Sequence, residues 1–321
     1  MMSASWGVMT RIRPGTSILA KTDKRYIPSY KRANQPPPMQ LTGRDIQIVL
    51  TVYEYRLLSA HQLETLFFPS TKKNSHSRRS TCQRRLQLLY HHGFLERLPQ
   101  PVILGQGRAP FVYALDGGGA NLVANQLGID RAEIGWKPKH NQLGPQFMDH
   151  SLVINDLRVV IQRLVEIGVL EVDQWVDEFT LKSVEMQQKV PYLVQRTRPV
   201  RKYPDGYFIL RRSGSEQQTH FFLEVDMGTM TNARWQEKVK AYNEFRQSGQ
   251  SQRHYGTQNF RVLAITTSKQ RLSNLKRATE QARGDRYFWF TTQAAVNIWQ
   301  PETILEAVWS VATKDERQRL F

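Results

Sequence analysis

One stretch, HFFLEVD at residues 220–226, constrains the fold more than any other. On an extended chain, Leu223 and Val225 point to one side while Glu224 and Asp226 share the other. The flanking Phe221 and Phe222 put apolar bulk on both sides, so this strand belongs inside a sheet covered on both faces. Two carboxylates on one face of a core strand need partners, because a buried charge left unpaired is costly.

The surrounding pattern supplies the rest of such a sheet. FMDHSLVINDLRVVIQRLVEIG carries Leu152, Ile154, Leu157, Ile161, Leu164 and Val165 at helical spacing and stops at Gly168. VLEVDQWVDEFTL, KYPDGYFILRR and THFFLEVDMG then read as three strands. NARWQEKVKAYNEFRQS reads as a helix, NFRVLAITT as a strand, QRLSNLKRATEQA as a helix and RYFWFTT as a strand. ETILEAVWSVA is expected as a final helix. Three consecutive strands imply an antiparallel meander, and the later strand-helix-strand unit adds parallel pairing.

Asp205 follows Pro204 at the start of the strand before 219–226. If those strands pair through SGSEQQ, Asp205 approaches Glu224 across the sheet. Three carboxylates, Asp205, Glu224 and Asp226, repel unless a cation neutralises them, and hard oxygen ligands suit Mg²⁺ or Mn²⁺. Such an ion could position a water and stabilise charge developing on phosphate oxygens. Lys238, on the next helix, could reach the same mouth. A second reading stands beside this one: the acids serve as turn acceptors or pair with Lys238 or Arg234, and the domain only binds.

The N-terminal half has a different bias. Residues 1–146 hold 20 Lys/Arg against 8 Asp/Glu, net +12, whereas residues 147–321 hold 25 against 20, net +5. A basic half points to a polyanion, usually nucleic acid. Residues 1–40 read as a basic flexible tail ending near Pro36-Pro37-Pro38. From Leu41, Ile46, Val49, Leu50, Tyr53 and Leu57 recur at helical spacing behind a Thr42 cap with Asp45 three residues on. Ser59 caps a short helix ended by Pro69, and a third helix runs from about Ser75 to His92 and stops at Gly93. Two strand-like runs follow, joined by a hairpin with Gly105, Gly107 and Arg108 near its tip.

Three helices and a basic hairpin in this order resemble a winged helix-turn-helix. The third helix would then enter the major groove of double-stranded DNA. Lys72, Lys73, Arg78, Arg79, Arg84 and Arg85 place six positive charges in fourteen residues with no acid among them. Arg78 and Arg79 are expected near base edges, the others and Arg108 near phosphates. Residues 41–120 are read as this domain, 121–146 as a linker and 147–321 as the sheet domain.

Other chemistry finds no support. A single cysteine, Cys82, rules out an internal disulfide and a cysteine zinc site. There is no GxxxxGK[ST] run for a nucleotide motor and no His-hydrophobe-His metal pattern. His150 is expected as a buried, hydrogen-bonded histidine, and His91-His92 as part of the wing junction. No apolar run reaches membrane-spanning length and the N-terminus lacks a secretory pattern, so a cytoplasmic location is expected, with no membrane partner.

Pro204-Asp205 and Glu224-Val225-Asp226, in this order of elements, resemble the PD-(D/E)xK nuclease superfamily. That likeness implies a restriction-endonuclease-like mixed sheet flanked by helices, hence an α/β (α+β) two-domain chain. It also implies catalytic roles for Asp205, Glu224, Asp226 and Lys238. The usual Lys two residues after the acid is replaced here by Asp226, which makes Lys238 the substitute. Lys238 and Tyr242, four apart, loosely match the helix motif of one nuclease subgroup. At a finer grain, the run EVD-G-T…W…K…Y behind a winged helix resembles the replication-relaxation family over roughly residues 41–295. That resemblance implies a bacterial protein of plasmids or other mobile elements, with plasmid replication and DNA relaxation as its setting. A second copy, or other mobile-element proteins, would be further partners. The alternative is a non-catalytic replication initiator or transcription regulator that uses a degenerate nuclease fold for assembly.

Overall fold

The computed structural model describes residues 31–68, 75–100, 109–182 and 204–321. Helix α1 spans Gly43–Tyr55 and starts at a capping box, in which the Thr42 hydroxyl accepts from the Asp45 amide and the Thr42 amide donates to Asp45 at 2.8 Å. Arg56, at φ 68°, ends the helix, and Leu57 falls in strand β1, Leu57–Ser59, rather than on the helix. A second capping box, Ser59 with Gln62, opens α2, Ala60–Phe67. Helix α3 covers Ser75–His91. Strands β2, Leu95–Leu98, and β3, Val112–Leu115, complete an antiparallel sheet in the order β1-β3-β2. Ile48, Val49, Val52, Leu63, Leu86, Leu89 and Tyr113 form its core. Lys72, Lys73, Gly105, Gly107 and Arg108 lie outside the described residues.

The expected linker at 121–146 begins inside a helix and sends three side chains into the core. Helix α4, Gly117–Leu127, lays Ala120, Val123 and Ala124 into the same core, joined by Ile134. The glycines at its start permit this, since a Cβ on Gly119 would lie 2.1 Å from the Phe94 carbonyl oxygen. The end of the tail is also anchored: Arg32 donates to the Tyr90 carbonyl and pairs with Asp116, and the Ala33 amide donates to His91 Nδ1 at 3.0 Å.

Helix α5, Pro145–Glu166, joins the two units. Asn155 Nδ2 donates to the Leu57 carbonyl at 2.7 Å, and Gln62 Nε2 donates to Asp156 at 2.7 Å. Met148 packs against Leu57, Leu98, Val112 and Ala114. Its other side, with Val160, Ile161 and Leu164, covers the second sheet. That sheet comprises β4 Leu170–Asp177, β5 Gly206–Arg212, β6 Thr219–Asp226, β7 Phe260–Thr266, β8 Phe288–Thr292, β9 Trp309–Val311 and β10 Arg317–Gln318. Its spatial order is β10-β9-β8-β7-β6-β5-β4. β4, β5 and β6 form the antiparallel meander, and β6, β7 and β8 run parallel. A one-turn helix α6, Glu178–Lys182, follows β4.

The parallel crossovers contain α7, Asn232–Gln247, a short α8, Gln250–Tyr255, and α9, Lys269–Gln281. Phe222, Ala264 and Phe290 face Trp235, Val239 and Tyr242 of α7 and Leu272 and Leu275 of α9. Phe221, Leu223 and Val225 face α5. The result is a mixed α/β sheet domain with both faces covered. The expected final helix is absent: Pro301–Leu305 makes a 3-10 turn, and β9 follows. Trp309 and Val311 alternate inward against β8, a period of two that outweighs the short helical pattern.

Candidate functional site

The register of β5 on β6 pairs Gly206 with Leu223, which sets Asp205 beside Glu224. The Asp205 amide donates to the Leu223 carbonyl at 2.9 Å, and the Val225 amide donates to Asp205 Oδ2 at 2.6 Å. His150, from the first turns of α5, places Nε2 3.2 Å from the same oxygen. Glu224 is 3 % exposed; Lys238 of α7 forms an ion pair with its Oε2, and the Tyr242 hydroxyl donates to its Oε1 at 2.8 Å. One turn of α7 separates Lys238 from Tyr242, so both reach one carboxylate.

The two carboxyls are driven apart in acidity. Burial opposes ionisation of Asp205, but the His150 hydrogen bond, the Lys238 charge and the Val225 amide together hold its pKa below the ordinary value. Burial raises Glu224, and the Asp205 charge adds to the rise against the pull of Lys238. Lys238 loses solvation, yet the charges of Glu224 and Asp205 keep its pKa above the ordinary lysine value. His150 is likewise raised, the Asp205 bond and charge overcoming burial. Burial and the Glu224 charge push the Tyr242 phenol far up.

Asp226 does not join this group. Its Oδ2 accepts from Arg271 Nε at 2.7 Å and from the Thr266 hydroxyl at 2.8 Å, and its Oδ1 accepts from Arg271 Nη2 at 2.9 Å. The same guanidinium donates to the Met230 carbonyl and Asn232, fastening the turn after β6. Among the described residues, no three His, Cys, Asp or Glu side chains are grouped to hold a metal ion. The three carboxylates expected to share one Mg²⁺ or Mn²⁺ are engaged separately: Arg271 holds Asp226, and Lys238 and Tyr242 hold Glu224. The structure brings Asp205, Glu224 and Lys238 together and ties Asp226 to Arg271, a residue no sequence pattern singled out.

On α3 the arginines fall into two sets. Arg78 Nε donates to Glu64 of α2 at 3.0 Å, and Arg85 Nε donates to Asp45 of α1 at 3.0 Å. Arg79 and Arg84 are exposed, with Arg79 Nη2 2.8 Å from His61 Nε2. Burial and the Arg79 charge lower the His61 pKa, so its neutral Nε2 can accept that bond. A cleft of about 390 Å³ lies beside these groups, lined by His61, Arg79, Gln83, Gln87, Arg97 and Phe111. No helix among the described residues is long and apolar enough to cross a membrane.

Together these features define a two-unit α/β protein, a small helical unit with a basic helix joined to a mixed-sheet domain with a buried acid–lysine cluster. The replication-relaxation family model matches residues 50–260, and the chain belongs to that family. No curated protein matches the chain. Among solved structures, the restriction endonuclease FokI is similar at TM-score 0.29 and 12 % identity, over 83 % of this chain and 46 % of that one. The chain thus spans less than half the length of that relative.

Proposed function

We propose that the protein binds duplex DNA of a plasmid or other mobile element, through a winged helix-turn-helix at residues 41–120. The C-terminal domain is read as a nuclease-like scaffold that lies along the sugar-phosphate backbone without cutting it. The observation that carries the reading is the sorting of the α3 arginines. Glu64 and Asp45 brace Arg78 and Arg85 inward, while Arg79 and Arg84 remain exposed on a basic half-chain with net charge +12. The order of three helices and a β1-β3-β2 sheet supports the winged-helix reading. The non-cutting part is supported by the acids, each of which is engaged by a protein donor. Binding is tested by fluorescence anisotropy on a duplex at increasing salt. Combined Arg79→Ala and Arg84→Ala should lower the salt slope by about 1 to 2 units, since each phosphate contact contributes ~0.9. An unchanged slope and affinity would reject α3 as the binding helix.

A second reading, metal-dependent nicking, is favoured by one observation. Asp205 and Glu224 carry oppositely shifted pKa values beside Lys238 and His150, a pattern that suits acid–base roles. Asp205 and Glu224 would have to release His150 and Lys238 before taking Mg²⁺ or Mn²⁺. Supercoiled plasmid incubated with either ion should stay intact under the first reading. Nicking by the wild type that Glu224→Gln abolishes would establish the second.

A further inference from the structure

The turn at residues 297–300 belongs to the C-terminal domain but reaches the basic helix of the other unit. Ile298 packs into the cores of both units, which fixes the turn at their junction. Asn297 Oδ1 accepts from the Trp299 amide at 2.9 Å, and the Gln300 amide donates to the Asn297 carbonyl at 3.0 Å. Trp299 is therefore held out by a built turn. It is 45 % exposed and is the one tryptophan among the exposed large apolar residues described. The Arg78 guanidinium lies 5.3 Å from its ring centroid, and His61 meets it edge-on at 5.9 Å. Arg79 continues the patch through His61.

The indole is set in a basic patch, with Arg78 on its ring, His61 at its edge and Arg79 beyond. A base offers a π face that stacks on indole, and its phosphate offers the charge that arginine takes. The basic half-chain around the indole, net +12, favours a polyanion over a protein partner. We propose that Trp299 is a DNA-contacting residue supplied by the C-terminal domain, stacking on an unpaired base while the exposed Arg79 holds the adjoining phosphate and Arg78, tied to Glu64, braces the ring. The inference rests on the DNA-binding reading above. It gives the two-unit architecture a purpose, because neither unit alone presents both the ring and the arginines. It also sets a ligand preference: duplex carrying an unpaired base over perfect duplex.

The test uses the full chain, a perfect duplex and the same duplex with one unpaired base, read by anisotropy. The wild type should bind the second probe more tightly. Trp299→Ala should lose about 5- to 150-fold on it, matching the ~1–3 kcal/mol of a base–aromatic stack, and little on the perfect duplex. Trp299→Phe should recover most of the loss. Trp299→Leu, which keeps apolar bulk beneath Arg78 but has no π face, should not. All three variants should melt with the wild type, since the ring is at the surface. Equal wild-type binding to both probes, an unaffected Trp299→Ala, or full recovery by Trp299→Leu would overturn the inference while leaving duplex binding intact. A wild type that binds neither probe would overturn both it and the reading beneath it.

Discussion

Replacing Lys238 by Met tests the buried cluster most directly. The Lys238 side chain is 17 % exposed and its partner Glu224 3 %, so the pair lies almost wholly inside the protein. Without the ammonium, Glu224 keeps only the Tyr242 hydroxyl and faces Asp205, whose charge already raises its pKa after burial does. Removing one member of a buried pair costs about 3–5 kcal/mol. For a unit of this size, that is a fall in melting temperature of about 6–20 °C at roughly 2–4 °C per kcal/mol. The loss should depend on pH with a definite sign. A carboxyl whose folded pKa is raised binds more protons folded than unfolded, so it destabilises the fold as pH rises above its unfolded value. Lys238→Met raises that pKa further, and the deficit should be larger at about pH 8 than at about pH 5. Calorimetric melts at the two pH values provide the measurement. Adding Glu224→Gln should restore much of the stability, since removing both partners avoids the stranded charge. A deficit below ~1 kcal/mol, equal at both pH values, would refute the pairing as the source of stability.

Arg271→Ala strands Asp226, which is 2 % exposed, and should cost about 3–5 kcal/mol in melts; Arg271→Lys should recover only part, since an ammonium cannot make the two-pronged contact. Arg85→Ala should weaken the fold without changing the DNA salt slope, because its guanidinium is committed to the fully buried Asp45; a slope lowered by ~0.9 with unchanged stability would place Arg85 on phosphate instead. Burial pushes the Cys82 thiol up to about 12, so a thiol reagent at about pH 8 should label it only after denaturation. Rapid labelling of the native protein would contradict its burial.

Much of this was visible in linear order. The alternation in HFFLEVD put Glu224 and Asp226 on one face, and the element order placed Asp205 across from Glu224, as the β5–β6 register has it. Lys238 could be named because one helix follows that strand directly. His150 was expected to be buried and hydrogen-bonded; it is half-buried, and its partner Asp205 lies 55 residues on and was not legible. The final helix was misread because ETILEAVWSVA satisfies a period of 3.6 only briefly, while pairing with β8 rewards a period of two. Helix α4 begins before the expected linker, because Gly119 permits close approach of the chain to Phe94.

By itself, the sequence determined the local events: caps at Thr42 and Ser59, the main strands of the sheet domain through β8 with the helices between them, and the uneven charge. These depend on neighbours within a few residues, whose backbone preferences and side-chain periods are written in order along the chain. Only the tertiary structure decided which charges meet. Arg271 reaches Asp226 across 45 residues of chain, from the helix after β7, and Arg85 reaches Asp45 across 40. Trp299 comes to α3 from the other unit. Charges are attracted through space, and a buried carboxylate takes whichever donor the packed elements bring near, so sequence separation does not predict its partner.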